Sequence, residues 1–298
     1  MNTKHRLAML GGDLRQYTAA VMLSKKNWDV RLWGLRTAGE GVEGVTLVDH
    51  PEDAITGAVG VVLPLPVSVD GVLLNSPMDP SDTRLRLQDL LSYTGEGQWI
   101  VGGKIPESFT AQAEAKGLSV YDYFLSEEFQ IQNAYTTAEA AVSIAMNRLN
   151  RTLMGAKVVI TGYGRIAKHL SNLLRSLGAQ VTVAARKKSD LAWAKSFGCE
   201  TLDISHGGAI HDLRRGYDVI YNTVPHWLFD RSFLEGADPS TFLIDLASVP
   251  GGVDIGAAKE LGSNVLWATS LPGKYAPDSA GELIANCVDR ILREEVGA

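Results

Sequence analysis

Lys157-Val-Val-Ile-Thr-Gly162-Tyr163-Gly164-Arg165-Ile166-Ala167-Lys-His-Leu170 is the stretch that decides the fold. A short apolar run ends in a G-x-G-x-x-A, and Ile166, Leu170, Leu173, Leu174 and Leu177 then repeat at helical spacing until Gly178 stops the pattern. Strand, glycine turn and amphipathic helix follow each other as a dinucleotide-binding unit requires. The first glycine permits the tight turn, the second lets backbone approach a pyrophosphate, and the alanine lets helix and strand pack closely. The helix N-terminus then offers unpaired amides and the positive end of its dipole to phosphate. Cofactor contacts are therefore expected at Gly162, Tyr163, Gly164, Arg165 and Ile166. The alternative is that the glycines only shape a strand-helix turn.

Downstream, Val181–Ala185 reads as the second strand, and its end carries Ala185-Arg186-Lys187-Lys188. Units that take NAD usually place an acidic residue there to hold the ribose 2′-hydroxyl. Arg186 instead lies 24 positions after Gly162, and a guanidinium suits a phosphate ester. Arg186 and Lys187 thus favour NADP over NAD, the alternative being a solvated basic loop. Val219–Tyr221, Phe242–Leu246 and Val265–Ala268 supply further strands. Ligands in open α/β sheets lie outside the carboxyl ends of strands, so Asn222-Thr223-Val224-Pro225 and Asp245 are expected to border the nicotinamide. Both Asn222 and Asp245 could equally serve turns. His226, just beyond, belongs to the residue type that titrates near neutral pH and is a candidate for proton transfer.

Upstream the alternation continues. Leu7–Leu10, Val30–Trp33, Val59–Leu63, Trp99–Val101 and Val120–Tyr123 read as strands, with a helix over Thr18 to Lys26. Strands alternating with helices imply a parallel sheet. Thr136-Thr137-Ala138-Glu139 has the spacing of a capping box, predicting a connecting helix that begins there. A closing helix from Ser279 to about Arg293 is expected to cross back to the first domain. The fold class that emerges is α/β with two domains, each a doubly wound, mostly parallel sheet. Residues 1–132, completed by 279–298, form a flavodoxin-like or Rossmann-like substrate and catalytic domain. Residues 133–278 form the NADP-binding Rossmann domain, with the active site expected in the cleft. Arg15, after Gly11-Gly12-Asp13, and Lys104, after Gly102-Gly103, are candidate carboxylate contacts.

Composition narrows the class of partner. The chain has 298 residues, 45% of them hydrophobic, and 34 acidic side chains against 28 basic ones. With no basic block, a nucleic-acid or anionic-membrane footprint is not supported, and a small-molecule partner is expected. No run approaches the ~18 apolar residues of a membrane span, and the N-terminus lacks a signal-peptide pattern, so a cytoplasmic setting is expected. Cys199 and Cys287 match no metal or disulfide spacing. The histidines at 5, 50, 169, 206, 211 and 226 form no H-E-x-x-H cluster, so no metal centre is expected.

Several of these segments together carry a resemblance. Gly11-Gly12-Asp13-Leu-Arg15-Gln16, Asn133 with Thr137-Ala138-Glu139, Gly162-Tyr-Gly164-Arg165, Ala185-Arg186 and Leu271-Pro-Gly-Lys274-Tyr-Ala-Pro277-Asp-Ser-Ala-Gly281 resemble the dipicolinate synthase A subunits over nearly the whole chain. The chain departs from that pattern at Ala134-Tyr135-Thr136, where the family tends to place a proline. The resemblance implies oxidation of a dihydrodipicolinate-type ring to pyridine-2,6-dicarboxylate with a nicotinamide cofactor, in the mother cell during sporulation. It also implies that the partner is a flavoprotein-like B subunit; a homo-oligomer is left open. Aromatisation removes a hydride and a proton, so catalysis could rest on positioning and on cations for two carboxylates. Lys274 and Arg15 are then the carboxylate candidates, and Glu139 or His226 the proton acceptor. The rival readings are another NAD(P)-dependent amino-acid or hydroxy-acid dehydrogenase, and a noncatalytic NADP-binding subunit that supports a partner.

Overall fold

The computed structural model describes residues 4–35, 44–79, 84–205 and 209–296; His206 lies outside them. The chain divides into two compact units, Met1–Asn133 with Ala276–Ala298, and Ala134–Tyr275.

The first unit is built on a parallel sheet of β1 (Arg6–Leu10), β2 (Asp29–Trp33), β3 (Val45–Leu47), β4 (Gly60–Val62), β5 (Trp99–Gly102) and β6 (Ser119–Asp122). The strand order is β3-β2-β1-β4-β5-β6, the order of the Rossmann fold and not the flavodoxin-like one. Helices α1 (Leu14–Lys25), α2 (Pro51–Ile55), α3 (Leu87–Leu90) and α4 (Glu107–Ala115) connect these strands. α1 begins four residues before the expected start, because the Asp13 carboxylate accepts the Arg15 amide and caps it.

The helix α5 (Glu127–Arg148) carries the chain into the second unit. Its start corrects the capping-box reading: Thr136-Thr137-Ala138-Glu139 lies in mid-helix, with both threonines buried. The helix instead opens after Ser126, whose carbonyl accepts the Gln130 amide at 3.0 Å. Ala138, Ala141, Val142 and Ala145 form a buried stripe along it, whereas Met146, at the same apolar spacing, is exposed.

The second sheet comprises β7 (Lys157–Thr161), β8 (Gln180–Ala185), β9 (Glu200–Asp203), β10 (Val219–Asn222), β11 (Phe242–Asp245) and β12 (Val265–Trp267), ordered β12-β11-β10-β7-β8-β9 and parallel throughout. This is the same order as in the first unit, read from the other edge. Between its strands run α6 (Arg165–Ser176), α7 (Lys188–Ser196), α8 (Arg231–Gly236) and α9 (Ile255–Leu261), followed by α10 (Leu271–Tyr275). The closing helix α11 (Pro277–Val296) returns to the first unit. There Ile284, Ala285, Val288, Ile291 and Leu292 pack with Ala19, Ala20 and Leu23 of α1 over one sheet face. Each sheet thus has apolar clusters on both faces, as buried parallel strands require.

Candidate functional site

In the second unit the strand order reverses between β7 and β10, and the loops that leave these strands meet. Gly162 follows β7 at φ +83°, and its amide donates to the Ala184 carbonyl at 2.8 Å. A Cβ there would stand 2.8 Å from Val224 Cγ2 and 2.9 Å from Thr223 Oγ1, so both backbone conformation and packing demand glycine. Thr223 Oγ1 donates to the Thr161 carbonyl at 2.7 Å, tying the β10 loop to the end of β7. Gly164 is the N-cap of α6 with ordinary φ −81°, and no side chain caps the helix. A Cβ on Gly164 would meet nothing within 4 Å. The protein therefore leaves open the space in front of the helix N-terminus, the place a dinucleotide pyrophosphate takes in this fold, and the residues present fit such a cofactor.

The contacts expected from the sequence divide into those that face this space and those that do not. The Tyr163 ring is buried in the core cluster, where burial pushes its phenol up, so this residue faces the loop with backbone only. Arg165 is exposed and Ile166 half-buried on the first turn of α6. Arg186 and Lys187 are exposed just past β8. Lys188 is committed elsewhere: its ammonium binds the Asp203 carboxylate at the end of β9. That lysine, with the Ser205 hydroxyl and amide, holds the Asp203 carboxyl well below the usual carboxylate range.

Asn222 and Asp245, expected at the nicotinamide, are corrected to internal braces. Both have no exposed surface. Asn222 Nδ2 donates to Asp245 Oδ1 at 2.7 Å and to the Val224 carbonyl at 3.0 Å, while its Oδ1 accepts from Thr161 Oγ1 at 2.6 Å. Asp245 further accepts the amides of Ala247 at 3.1 Å and Gly252 at 2.8 Å. A buried carboxylate is tolerated only when its lone pairs are satisfied. The network therefore fixes the loops after β10 and β11, and in the β10 loop Thr223, Val224 and Pro225 are partly or fully exposed. His226 and Trp227 follow them, both exposed. Glu139 is exposed on α5, freed from the capping role the sequence suggested. Lys274 is exposed on the short helix α10, not in a loop.

In the first unit, the order reverses between β1 and β4, and Arg15 spans that point. Its Nη2 donates to the Leu65 carbonyl past β4 at 2.6 Å. Nε and Nη2 also grip both oxygens of Asp13, with contacts of 2.9, 3.2 and 2.8 Å. Arg15 is only 8% exposed. Lys104 follows β5 in the left-handed region at φ +55°, a conformation secured by Asp122, which accepts the amides of Lys104 and Ile105 at 3.0 and 2.9 Å. Its ammonium sits 4.8 Å from the centroid of the Phe124 ring, a cation–π contact. Tyr123, next to Asp122, is fully buried with no partner for its hydroxyl, and burial drives its phenol far above the ordinary range. Sequence reasoning gave Asp13, Asp122 and Asp203 no part in these sites. The signal for Asp13 was present, since an aspartate two residues before an arginine at a strand-to-helix turn is an N-cap pattern. Among the described residues, no three His, Cys, Asp or Glu side chains are grouped to hold a metal, and no helix is long and apolar enough to cross a membrane.

A helix N-terminus left open behind a glycine turn, in one of two units that share the Rossmann strand order, defines a two-domain dehydrogenase-type α/β protein. L-alanine dehydrogenase has this fold at a TM-score of 0.64 with 15% identity, over 97% of this chain and 90% of its own. Much nearer relatives exist. Residues 6–124 match the family model for the N-terminal domain of the dipicolinate synthase A subunit. The dipicolinate synthase A subunit of Bacillus subtilis is 27% identical over 99% of this chain and 98% of its own length. The crystal structure of the dipicolinate synthase A subunit from Bacillus halodurans superposes with a TM-score of 0.85 at 28% identity, over 98% of this chain and 99% of that one. The chain is a relative of the dipicolinate synthase A subunits, as its motifs indicate.

Proposed function

We propose that the chain is an NADP-dependent dehydrogenase that oxidises a dihydrodipicolinate-type ring to pyridine-2,6-dicarboxylate. One observation carries the reading: whole-length likeness to the dipicolinate synthase A subunits in a chain whose dinucleotide cradle is open and bordered by basic residues. The second unit serves as the cofactor domain and the first, completed by α11, as the substrate domain. Bound there, the nicotinamide supplies a hydride acceptor. Gly162, Gly164 and the first amides of α6 receive the pyrophosphate, and Arg186 and Lys187 receive the 2′-phosphate that distinguishes NADP from NAD. Thr223, Val224 and Pro225 limit where the nicotinamide end lies, held in place by Asn222 and Asp245 from beneath.

Arg15 Nη1 donates to one ring carboxylate, and Lys104 is the cation for the other, with Lys274 as its rival. The proton lost on aromatisation passes to His226, whose imidazole is exposed on the β10 loop. Glu139 is its rival, and His226→Asn against Glu139→Gln separates them by which variant loses turnover. In this reading a flavoprotein-like B subunit is the partner in the complete synthase, and the chain acts in the mother cell cytoplasm during sporulation. The test is calorimetric titration of the NADP-loaded chain with pyridine-2,6-dicarboxylate and pyridine-2-carboxylate. The reading expects the dicarboxylate to bind at least tenfold more tightly, and equal binding of the two would overturn it.

A further inference from the structure

The turn after β1 and the turn after β7 occupy the same position in two sheets of the same strand order, yet they are finished differently. In front of α6 the protein leaves open space. In front of α1 it places its own carboxylate: Asp13 Oδ1 accepts the Arg15 amide at 3.0 Å, taking the position an incoming anion would want. At this turn the amide that a phosphate would use is therefore already taken by a carboxylate of the protein. What the turn displays is the Arg15 guanidinium.

Arg15 has five N–H donors in a fixed fork. Asp13 occupies the Nε and Nη2 edge with both oxygens, and Leu65 takes Nη2 from the other side. The planar group is thereby held from two segments of chain, one on each side of the strand-order reversal. Nη1 alone is left to a ligand. In a side chain that is only 10% exposed, such a clamp cannot swing to meet a carboxylate; it must already be aimed.

We infer that Asp13 is a positioning residue for the reaction, acting through Arg15: it fixes the guanidinium so that Nη1 addresses the substrate carboxylate. This inference rests on the proposed function, in which Arg15 binds that carboxylate. Asp13 itself touches no reacting atom. It also cancels the charge of Arg15 locally, so the clamp selects by direction more than by net attraction for anions.

The test is a double-mutant cycle on the full chain, with kcat/KM for dihydrodipicolinate, Kd for NADPH and melting temperature measured throughout. Asp13→Ser and Asp13→Asn both keep an N-cap acceptor, so either can serve if the other fails to fold. Expected are a tenfold or greater loss of kcat/KM in either Asp13 variant and in Arg15→Ala, with NADPH affinity unchanged. Combining Asp13→Ser with Arg15→Ala should add less than twofold to the loss in Arg15→Ala, since Asp13 has nothing left to position. Multiplying losses would overturn the inference by showing that Asp13 acts on its own, as would full activity in the Asp13 variants. An Arg15→Ala chain with wild-type kcat/KM would instead overturn the assignment of Arg15 in the proposed function, and the positioning role with it.

Discussion

Replacing Arg186 by serine should separate the two nicotinamide cofactors. Three basic residues follow β8, but they are not equivalent: Lys188 is paired with Asp203, while Arg186 and Lys187 are exposed. A hydrogen bond to a charged group is worth about 1.5–3 kcal/mol, and an exposed site belongs at the low end because water and salt screen it. At about 1.5 kcal/mol, Arg186→Ser raises the Kd for NADPH roughly tenfold. The Kd for NADH, which lacks the 2′-phosphate, should change less than about twofold. Adding Lys187→Ser should compound the loss toward roughly a hundredfold if the two contacts are independent. Lys188→Ala, in contrast, should leave NADPH affinity near wild type, because its ammonium is already taken. The assay is enhancement of reduced-nicotinamide fluorescence, titrated at low and high salt. The NADPH preference should shrink as salt rises. Equal effects of Arg186→Ser on NADPH and NADH would refute the reasoning, and so would a larger effect at Lys188 than at Arg186.

Further outcomes follow from the geometry. Gly162→Ala should destabilise the protein by about 1–2 kcal/mol or more, from its positive φ alone, with the close contact to Val224 added. Gly164→Ala should leave the melting temperature of the free protein unchanged while weakening NADPH binding, because its Cβ points into open space; a differential melt with and without NADPH distinguishes them. Asp245→Asn should cost about 1–3 kcal/mol or more in urea unfolding, since an amide nitrogen must then face a backbone N–H in a site with no exposed surface; a midpoint unchanged from wild type would count against the brace. Burial raises the Tyr123 and Tyr221 phenols and the Cys199 and Cys287 thiols in the folded state. Raised folded values mean that the unfolded chain releases protons first. Stability should hold below about pH 8.5, the unperturbed thiol value, and fall as pH rises beyond it, read from urea midpoints between neutral pH and about pH 10.5, just past the ordinary phenol value.

Much of the fold was legible because parallel strands buried on both faces are nearly continuous apolar runs, as in Leu7–Leu10 and Val158–Thr161. The strands missed were β3 and β9, each at the edge of its sheet. Three of the four residues of Glu200-Thr-Leu-Asp203 are polar, as suits a strand with a neighbour on one side alone. Helix starts were less legible than helix faces. Thr136 and Glu139 have the spacing of a capping box, yet three residues also separate positions on one continuous face of a helix, and α5 runs straight through them. In the cofactor site the glycine pattern placed the loop correctly on its strand and helix. It could not show that Asn222 and Asp245 turn inward, because that depends on which strands are neighbours: β10 lies between β7 and β11, so Asn222 can reach Thr161 on one side and Asp245 on the other. For the same reason Asp203 was invisible as the partner of Lys188, being brought there by the pairing of β9 with β8.

The central claim is that this chain itself passes a hydride from a dihydropyridine dicarboxylate to NADP. The most direct measurement supplies the purified chain with freshly generated dihydrodipicolinate and either NADP or NAD, and follows nicotinamide reduction alongside pyridine-2,6-dicarboxylate formation. The account predicts one NADPH per dicarboxylate formed, with a kcat/KM for NADP well above that for NAD. A folded, NADPH-binding chain that forms the dicarboxylate with neither cofactor would contradict it and leave an enzyme that needs its partner, or a noncatalytic cofactor-binding subunit, in its place.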